Sequence, residues 1–452
     1  MDSGGEAFRW WQGCPGHGAI VAVTRHTSAP ATVAVAQQPP FEAYVAALRR
    51  SQDELPPAPL ALLDITAFRA NAADMARRAA GTPLRVASKS LRIRRAIEAA
   101  LGEDGFSGIM AFTLAEALWL QECGHTDLLV AYPTVDRPAL RAWVRSAEAR
   151  AAITVAVDSP EHLELIEQVQ REAGLHPSQS TGEMPPLRLC LDLDAAWQPT
   201  AVPWLRVGAL RSPVKTPKQA RVMAEKILST PGCSMVGVLA YEGQVAGLPE
   251  GGGPRSLAIR GIKAASIRDL ACRRVEMVQA IREVTARHGV QLEFVNGGGT
   301  GSIESTVAEG AVTEVGAGSG LLGPASFDAF AHFTVRPASF FICPVARRTD
   351  PTTVTVTGGG WIASGVPGPD RSPTVAWPEG LSLSGQEGAG EVQTPLRGAA
   401  ARGMKLGDPV FFRHAKAGEP AEHLSAVAVY CRVEDEIVDV WPTYRGEGKV
   451  FL

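Results

Sequence analysis

Eight short aliphatic runs, each followed by a helix-like stretch rich in Ala, Leu, Glu and Arg, constrain the fold of this chain more than any other feature. After an introductory run at Leu60–Ile65 and a helix from Arg69 to Ala79, they fall at Leu84–Ser88, Gly108–Phe112, Leu128–Tyr132, Ile153–Val157, Leu187–Asp194, Met235–Tyr241, Leu292–Asn296 and Val312–Gly316. Short aliphatic runs read as strands, and the stretches between them as helices. Parallel strands of this kind need burial on both faces. Eight in succession point to a closed (β/α)8 barrel, with an open doubly wound sheet as the alternative. Thr113 ahead of Glu116 reads as a helix N-cap with a capping box, and Ser159-Pro160 opens another helix.

The pattern changes after about residue 335. Runs at Thr353–Thr357, Val410–Arg413, Ala426–Val433 and Ile437–Val440 are separated by Gly, Pro and Asp, so a β-rich domain is expected over 336–452. The barrel then occupies 55–335 and residues 1–54 form an extension, with a Trp10-Trp11 pair and one short helix at Phe41–Arg50. The fold class is α/β: a barrel followed by a β-domain. A chain of 452 residues suits two domains.

A net charge of -3 gives no reason to expect nucleic acid or an anionic membrane as partner. The seven cysteines are scattered with no C-x-x-C pair, which suits reduced thiols. No apolar run approaches the ~20 residues of a membrane span, and the first residues lack a secretory pattern. A cytoplasmic protein is expected.

Lys89 lies at the carboxyl end of the first barrel strand, where βα loops open and catalytic groups collect. Partial desolvation there favours a neutral, nucleophilic amine, the requirement for a Schiff base with an aldehyde cofactor. Alone, such a lysine is more often a surface residue. Two glycine-rich loops strengthen the reading: Asn296-Gly297-Gly298-Gly299-Thr300-Gly301-Ser302 after strand seven, and Gly316-Ala317-Gly318-Ser319-Gly320 after strand eight. Their amides and the Thr300 and Ser302 hydroxyls can approach an anion closely, and barrels often bind phosphate at these two loops. One such loop would be an ordinary tight turn. Two of them opposite a strand-one lysine imply a phosphorylated cofactor across the mouth. Tyr241 and Gln244 after strand six could contact its ring. Arg206 or Arg211 could face a ring nitrogen or a substrate carboxylate.

The segments Arg85–Arg92, Ala111–Trp119, Tyr241–Gly247, Glu293–Ser302, Thr313–Gly323, Gly388–Gly398, Phe412–Glu419 and Pro442–Gly448 resemble the bacterial amino acid deaminase/aldolase family. That family stands with D-threonine aldolases and D-serine dehydratases among the pyridoxal 5′-phosphate (PLP) enzymes of alanine racemase type. The resemblance runs from about Leu55 to the C-terminus. It implies Lys89 as the Schiff-base lysine, the two loops as the phosphate site, and a homodimer with active sites at the subunit boundary. Relatives carry a divalent metal (Mn, Mg or Zn) on a His followed two residues later by Asp or Cys. Here that segment is His414-Ala415-Lys416-Ala417-Gly418-Glu419, and an ammonium group cannot ligate a metal. Either the metal is lost, or His414 finds Glu419 or His423. His414 could also be a base without metal, and Lys416 could supply proton transfer.

The expected reaction is aldol-type cleavage of a small β-hydroxy-D-amino acid. β-Elimination to a keto acid and ammonia, or racemisation, would be the alternatives on this fold. A PLP-binding homeostasis protein without catalysis is a further one, though such proteins lack a C-terminal β-domain. A barrel enzyme using a phosphorylated substrate and no PLP is the last.

Overall fold

The computed structural model describes residues 38–452 apart from 176–183, 200–201, 203, 252–253 and 367. The tryptophan pair at 10 and 11 lies outside the described residues.

The introductory strand β1 (Leu60–Asp64) is followed by the barrel strands β2 (Leu84–Ala87), β3 (Phe106–Ala111), β4 (Leu128–Val130), β5 (Ile153–Val157), β6 (Leu187–Asp192), β7 (Cys233–Ala240), β8 (Phe294–Gly297) and β9 (Glu314–Ala317). These eight close into a parallel barrel, with β2 paired to both β3 and β9. Each expected run overlaps one of them. The barrel floor is filled by charge as well as carbon: Arg85 donates from Nε and Nη2 to Glu314 at 2.7 and 2.8 Å and from Nη1 to Asp127 at 2.7 Å. Asn296 adds a bond to Glu314 at 2.9 Å, so every buried polar group there has a partner.

The second sheet holds β10 (Ser339–Asp350), β11 (Thr353–Thr357), β12 (Thr374–Trp377), β13 (Ser382–Leu383), β14 (Gln393–Arg397), β15 (Pro409–Arg413), β16 (Ala426–Cys431) and β17 (Glu436–Pro442). Its order is β13-β14-β11-β10-β1-β16-β17, with β15 pairing to β10 and β12. Strand β1 is thus the centre of this sheet, antiparallel to β10 and parallel to β16, and no barrel prelude. Its alternation explains why. Leu60 and Leu62 join Phe340, Ile342, Phe411 and Tyr430 in one core, while Ala61 and Leu63 face the main core shared with the barrel. Burying a Leu or Phe side chain is worth about 1.5–3 kcal/mol, so a strand apolar on both faces belongs between two layers.

The helix Phe41–Arg50 covers the outer face of this sheet with Tyr44, Val45 and Ala47. The last fourteen residues expected in the extension therefore include the roof of the second domain. Asp64 locks the junction: it caps the helix Ile65–Arg78 through Ala67 N–H at 2.9 Å, accepts the Tyr44 hydroxyl at 2.7 Å and pairs with Arg432 at 2.7 Å. No helix among the described residues is long and apolar enough to cross a membrane.

Candidate active site

Lys89 stands on a one-turn helix, Ser88–Ser90, that ends β2, and its side chain turns across the barrel mouth. Its ammonium donates to the Tyr132 hydroxyl at 3.2 Å, just past β4. The Arg211 guanidinium lies over the Tyr132 ring at 5.2 Å and over the Tyr241 ring at 5.3 Å. The Tyr241 ring in turn borders Gly299, where an added Cβ would sit 3.5 Å from the ring edge. Lys89, Tyr132, Arg211, Tyr241 and the first glycine loop form a continuous arc around the mouth. Burial would raise the Tyr132 pKa, but the Lys89 and Arg211 charges outweigh it and hold the phenol below its ordinary value. Tyr241, partly buried, is pushed up to about 12 by desolvation.

The two glycine loops are stitched together and to the lysine turn. Gly320 N–H donates to the Thr300 hydroxyl oxygen at 3.1 Å, and the Ser90 and Ser319 hydroxyls bond at 2.9 Å. Gly318 packs so closely on Ala87 that a Cβ would come within 2.7 Å of its carbonyl oxygen. Within this frame four of the sequence-derived donors take other roles, Gly299 among them, its N–H donating to the Ser302 hydroxyl oxygen at 3.2 Å. Gly298 N–H donates at 3.1 Å to the buried Glu242 carboxylate, and so does the Ser302 hydroxyl at 3.1 Å. Gly316 is a residue of β9 facing Met110, where a side chain would not fit. The amides of Thr300, Gly301, Gly318 and Ser319 take part in none of these bonds, and the Thr300 hydroxyl keeps its own hydrogen to donate. An anion-binding edge of this composition suits a phosphate monoester.

Glu242, 2% exposed, is the root of the first loop. It also accepts from Thr306 and pairs with Arg274 at 3.0 Å, which reaches it from the helix Pro254–Arg287. Gln244 is spent differently from expectation, donating to the Ala195 carbonyl at 2.7 Å. Arg206 pairs with Asp194, leaving Arg211 as the arginine at the mouth. Beside Arg211 the Asp192 carboxyl is pushed up to about 8 by burial and by Asp158, with Arg211 opposing.

The second domain reaches the same turn. Gly418, at φ +96°, packs against the Lys89 carbonyl oxygen, where any Cβ would collide. This brings Lys416 beside Lys89, its ammonium donating to the Ser364 carbonyl at 3.1 Å. Burial, then Arg371 and Lys89, lower the Lys416 pKa. His414 is different. It is 2% exposed, and burial with the neighbouring Arg413 pushes its pKa to about 3, against a contact with the Ser339 backbone. A base so reluctant to hold a proton and so enclosed does not fit a proton-transfer role.

The alternative metal partners are also engaged. Glu419 accepts from Ser364 N–H at 2.9 Å and His423 stacks on Trp361 at 5.0 Å. Among the described residues no three His, Cys, Asp or Glu side chains gather as a metal centre. The residues present do not fit a divalent ion at His414.

Residues 63–326 match the alanine racemase N-terminal domain family. The chain belongs to that family. Its cofactor is pyridoxal 5′-phosphate, and the arc from Lys89 to the glycine loops fits it: an amine at one end, phosphate donors at the other, aromatic rings and a cation between. A D-threonine aldolase of an Arthrobacter species is 26% identical over 215 residues, 48% of this chain and 47% of the relative. The match thus spans about half the length of that relative. Among solved structures, D-threonine aldolase from Filomicrobium marinum superposes with a TM-score of 0.67 at 18% identity, covering 87% of this chain and 96% of its own. D-threo-3-hydroxyaspartate dehydratase from Delftia sp. HT23 gives 0.60 at 20% identity, covering 86% and 97%. At such identities these structures speak for the fold.

Sequence reasoning passed over Tyr132, Glu242 and the close approach of the 414–419 loop. An aromatic residue at the carboxyl end of a barrel strand was a readable sign for Tyr132. An acid directly after Tyr241 gave no sign that it would fill the base of a loop 56 residues further on.

Proposed function

We propose that this protein is a PLP-dependent lyase that cleaves the Cα–Cβ bond of a small β-hydroxy-D-amino acid, with Lys89 holding the cofactor. The observation that carries the reading is the direction of Lys89, whose amine reaches over the mouth to Tyr132 on the arc that ends at the glycine loops. Names of the relatives, an aldolase and a dehydratase of β-hydroxy-D-amino acids, support the substrate class and the D-configuration.

Bound here, PLP supplies an electron sink at the substrate Cα. The chain's own residues supply the rest. Thr300, Gly301, Gly318 and Ser319 would hold its phosphate. Tyr241 packs against the ring from the strand β7 side. Arg211 presents a fixed positive charge for a carboxylate or the ring nitrogen. Lys89 would hold the cofactor through its amine and, once the substrate has taken its place, would return a proton to Cα. Tyr132, its pKa held down by two cations, accepts or returns a proton at the Lys89 amine. Lys416, held beside Lys89 with its pKa lowered by burial, Arg371 and Lys89, would as a neutral amine take the β-hydroxyl proton during cleavage.

That position of Lys416 favours a second reading, β-elimination to a keto acid and ammonia, since an ammonium can protonate a departing β-hydroxyl. Neither reading passes through a metal. A homodimer acting on small amino acids belongs to the same proposal. The test is a product assay with D-threonine and D-serine, with and without manganese or a chelator. Glycine and an aldehyde support cleavage; keto acid and ammonia support elimination; PLP bound without turnover overturns both.

A further inference from the structure

The C-terminal segment after β17 crosses to the barrel and ends against the lysine turn, a contact the reaction scheme does not use. Tyr444 is its centre. Its hydroxyl donates to Glu116 Oε1 at 2.8 Å, its amide donates to the Arg92 carbonyl at 2.8 Å, and its ring meets Trp119 edge-on at 4.9 Å. Phe451 closes the cluster from behind.

Glu116 carries this contact inward. It was expected to close a capping box on Thr113; Glu116 N–H donates to the Thr113 hydroxyl at 3.1 Å, and the fully buried Glu116 carboxylate, beside the Ser88 hydroxyl, accepts from Phe112 N–H at 2.7 Å with the Thr113 amide alongside. Ser88 directly precedes Lys89 and its own hydroxyl holds the Met110 carbonyl of β3 at 3.0 Å. Further contacts from the second domain grip the same few residues: Gly418 on Lys89, Glu422 on Arg92, and Glu447 on Arg94 at 3.2 Å. Every one of these partners lies more than 300 residues away in sequence.

We propose that Tyr444, acting through Glu116 and Ser88, is a positioning residue that fixes the Lys89 turn, so that the second domain sets the reactivity of the cofactor lysine. This rests on Lys89 being that lysine. Burial pushes the Glu116 carboxyl up to about 7, against the bonds from Phe112 N–H and the Tyr444 hydroxyl and the nearby Ser88 hydroxyl dipole, so its charge changes near neutral pH. The groups facing the pair are Ser88, Phe112 N–H and Thr113 on the barrel side and Tyr444 on the other. The nearest charges are Arg92 over the Phe112 ring, Arg94, Glu447, and Lys449 over Trp119.

The experiment follows acetylation of Lys89 in the full chain by an amine-reactive ester between pH 6 and 9, read by peptide mass spectrometry with Lys226 as internal control. Wild type should show an inflection near pH 7 in the Lys89 rate alone. Tyr444→Phe removes a bond that favours the ionised acid, so the inflection should move to higher pH and the neutral rate change at least about threefold. Glu116→Gln keeps hydrogen-bonding capacity and should abolish the inflection while leaving the melting temperature near wild type. Identical Lys89 profiles in all three proteins overturn the proposal, whatever the melting temperatures do. Added PLP should protect Lys89 in wild type. If the inflection moves as expected and PLP gives no protection, the cofactor reading falls and the clamp stands.

Discussion

Arg85 and Lys89 lie four residues apart, on β2 and the turn that ends it, yet they sit in opposite electrostatic worlds. Arg85, at the barrel floor, is gripped by Glu314 and Asp127, and its pKa is raised by these partners despite burial. Lys89, at the mouth, holds a tyrosine hydroxyl and faces Lys416 and Arg211 across Tyr132. A saturated charge serves the fold, because removing it strands its partners. Lys89, exposed at the mouth with no carboxylate bonded to it, is explained by what will bind it. The glycine loops repeat the contrast: Gly298 and Ser302 are consumed by Glu242, while the Thr300 and Gly301 amides take part in neither bond.

The contrast is broken most severely by exchanging what each residue loses. Lys89→Ala should abolish the visible band formed with PLP and lower turnover by about three orders of magnitude or more, with stability within about 0.5 kcal/mol of wild type. Arg85→Met should do the reverse. It leaves Glu314 buried without a countercharge, so urea melts should show a loss of about 3–5 kcal/mol. A stable Arg85→Met protein would contradict the reading of the floor.

Next in size is the acid limb of stability. His414 has its folded pKa depressed far below the ordinary 6.5, so the unfolded chain binds a proton that the folded chain refuses. Stability is present above about pH 6.5 and is lost as pH falls towards 3, at up to about 1.4 kcal/mol per pH unit. His414→Phe should flatten that limb in melts from pH 3 to 7. Glu116, Glu309 and Asp192 act with the opposite sign. Their pKa values are raised to about 7, 7 and 8, so they favour the folded state at low pH and subtract stability as pH rises past the ordinary carboxylate range of about 4.

At the mouth, Lys416→Met should lower turnover about 10²-fold with little change in melting temperature, since one ordinary carbonyl bond is all the fold loses. Arg211→Ala should raise KM for the amino acid, or weaken PLP retention, by about tenfold, the worth of one charge-assisted contact. Equal losses of stability at floor and mouth would erase the distinction.

How much of this could be read in advance follows from range. The eight barrel strands were legible because each is a local aliphatic run, and Lys89 and the two loops because the barrel puts strand ends on one rim. The position of β1 was not, since its partners in β10 and β16 lie some 280 and 360 residues away and its own five residues look like any buried strand. Glu116 was legible only in part: the local capping rule placed it against Thr113, but its tertiary partner Tyr444 lies 328 residues away. Among the site donors, the glycines announced the loop but not that Glu242 would claim two of its donors.

The central claim is that Lys89 is the residue joined to the cofactor. The most direct measurement is borohydride reduction of the PLP-loaded protein followed by peptide mapping. A single phosphopyridoxyl group on Lys89 is the predicted result. The same group on Lys416 or another lysine, or none on a protein that binds PLP, would contradict the account.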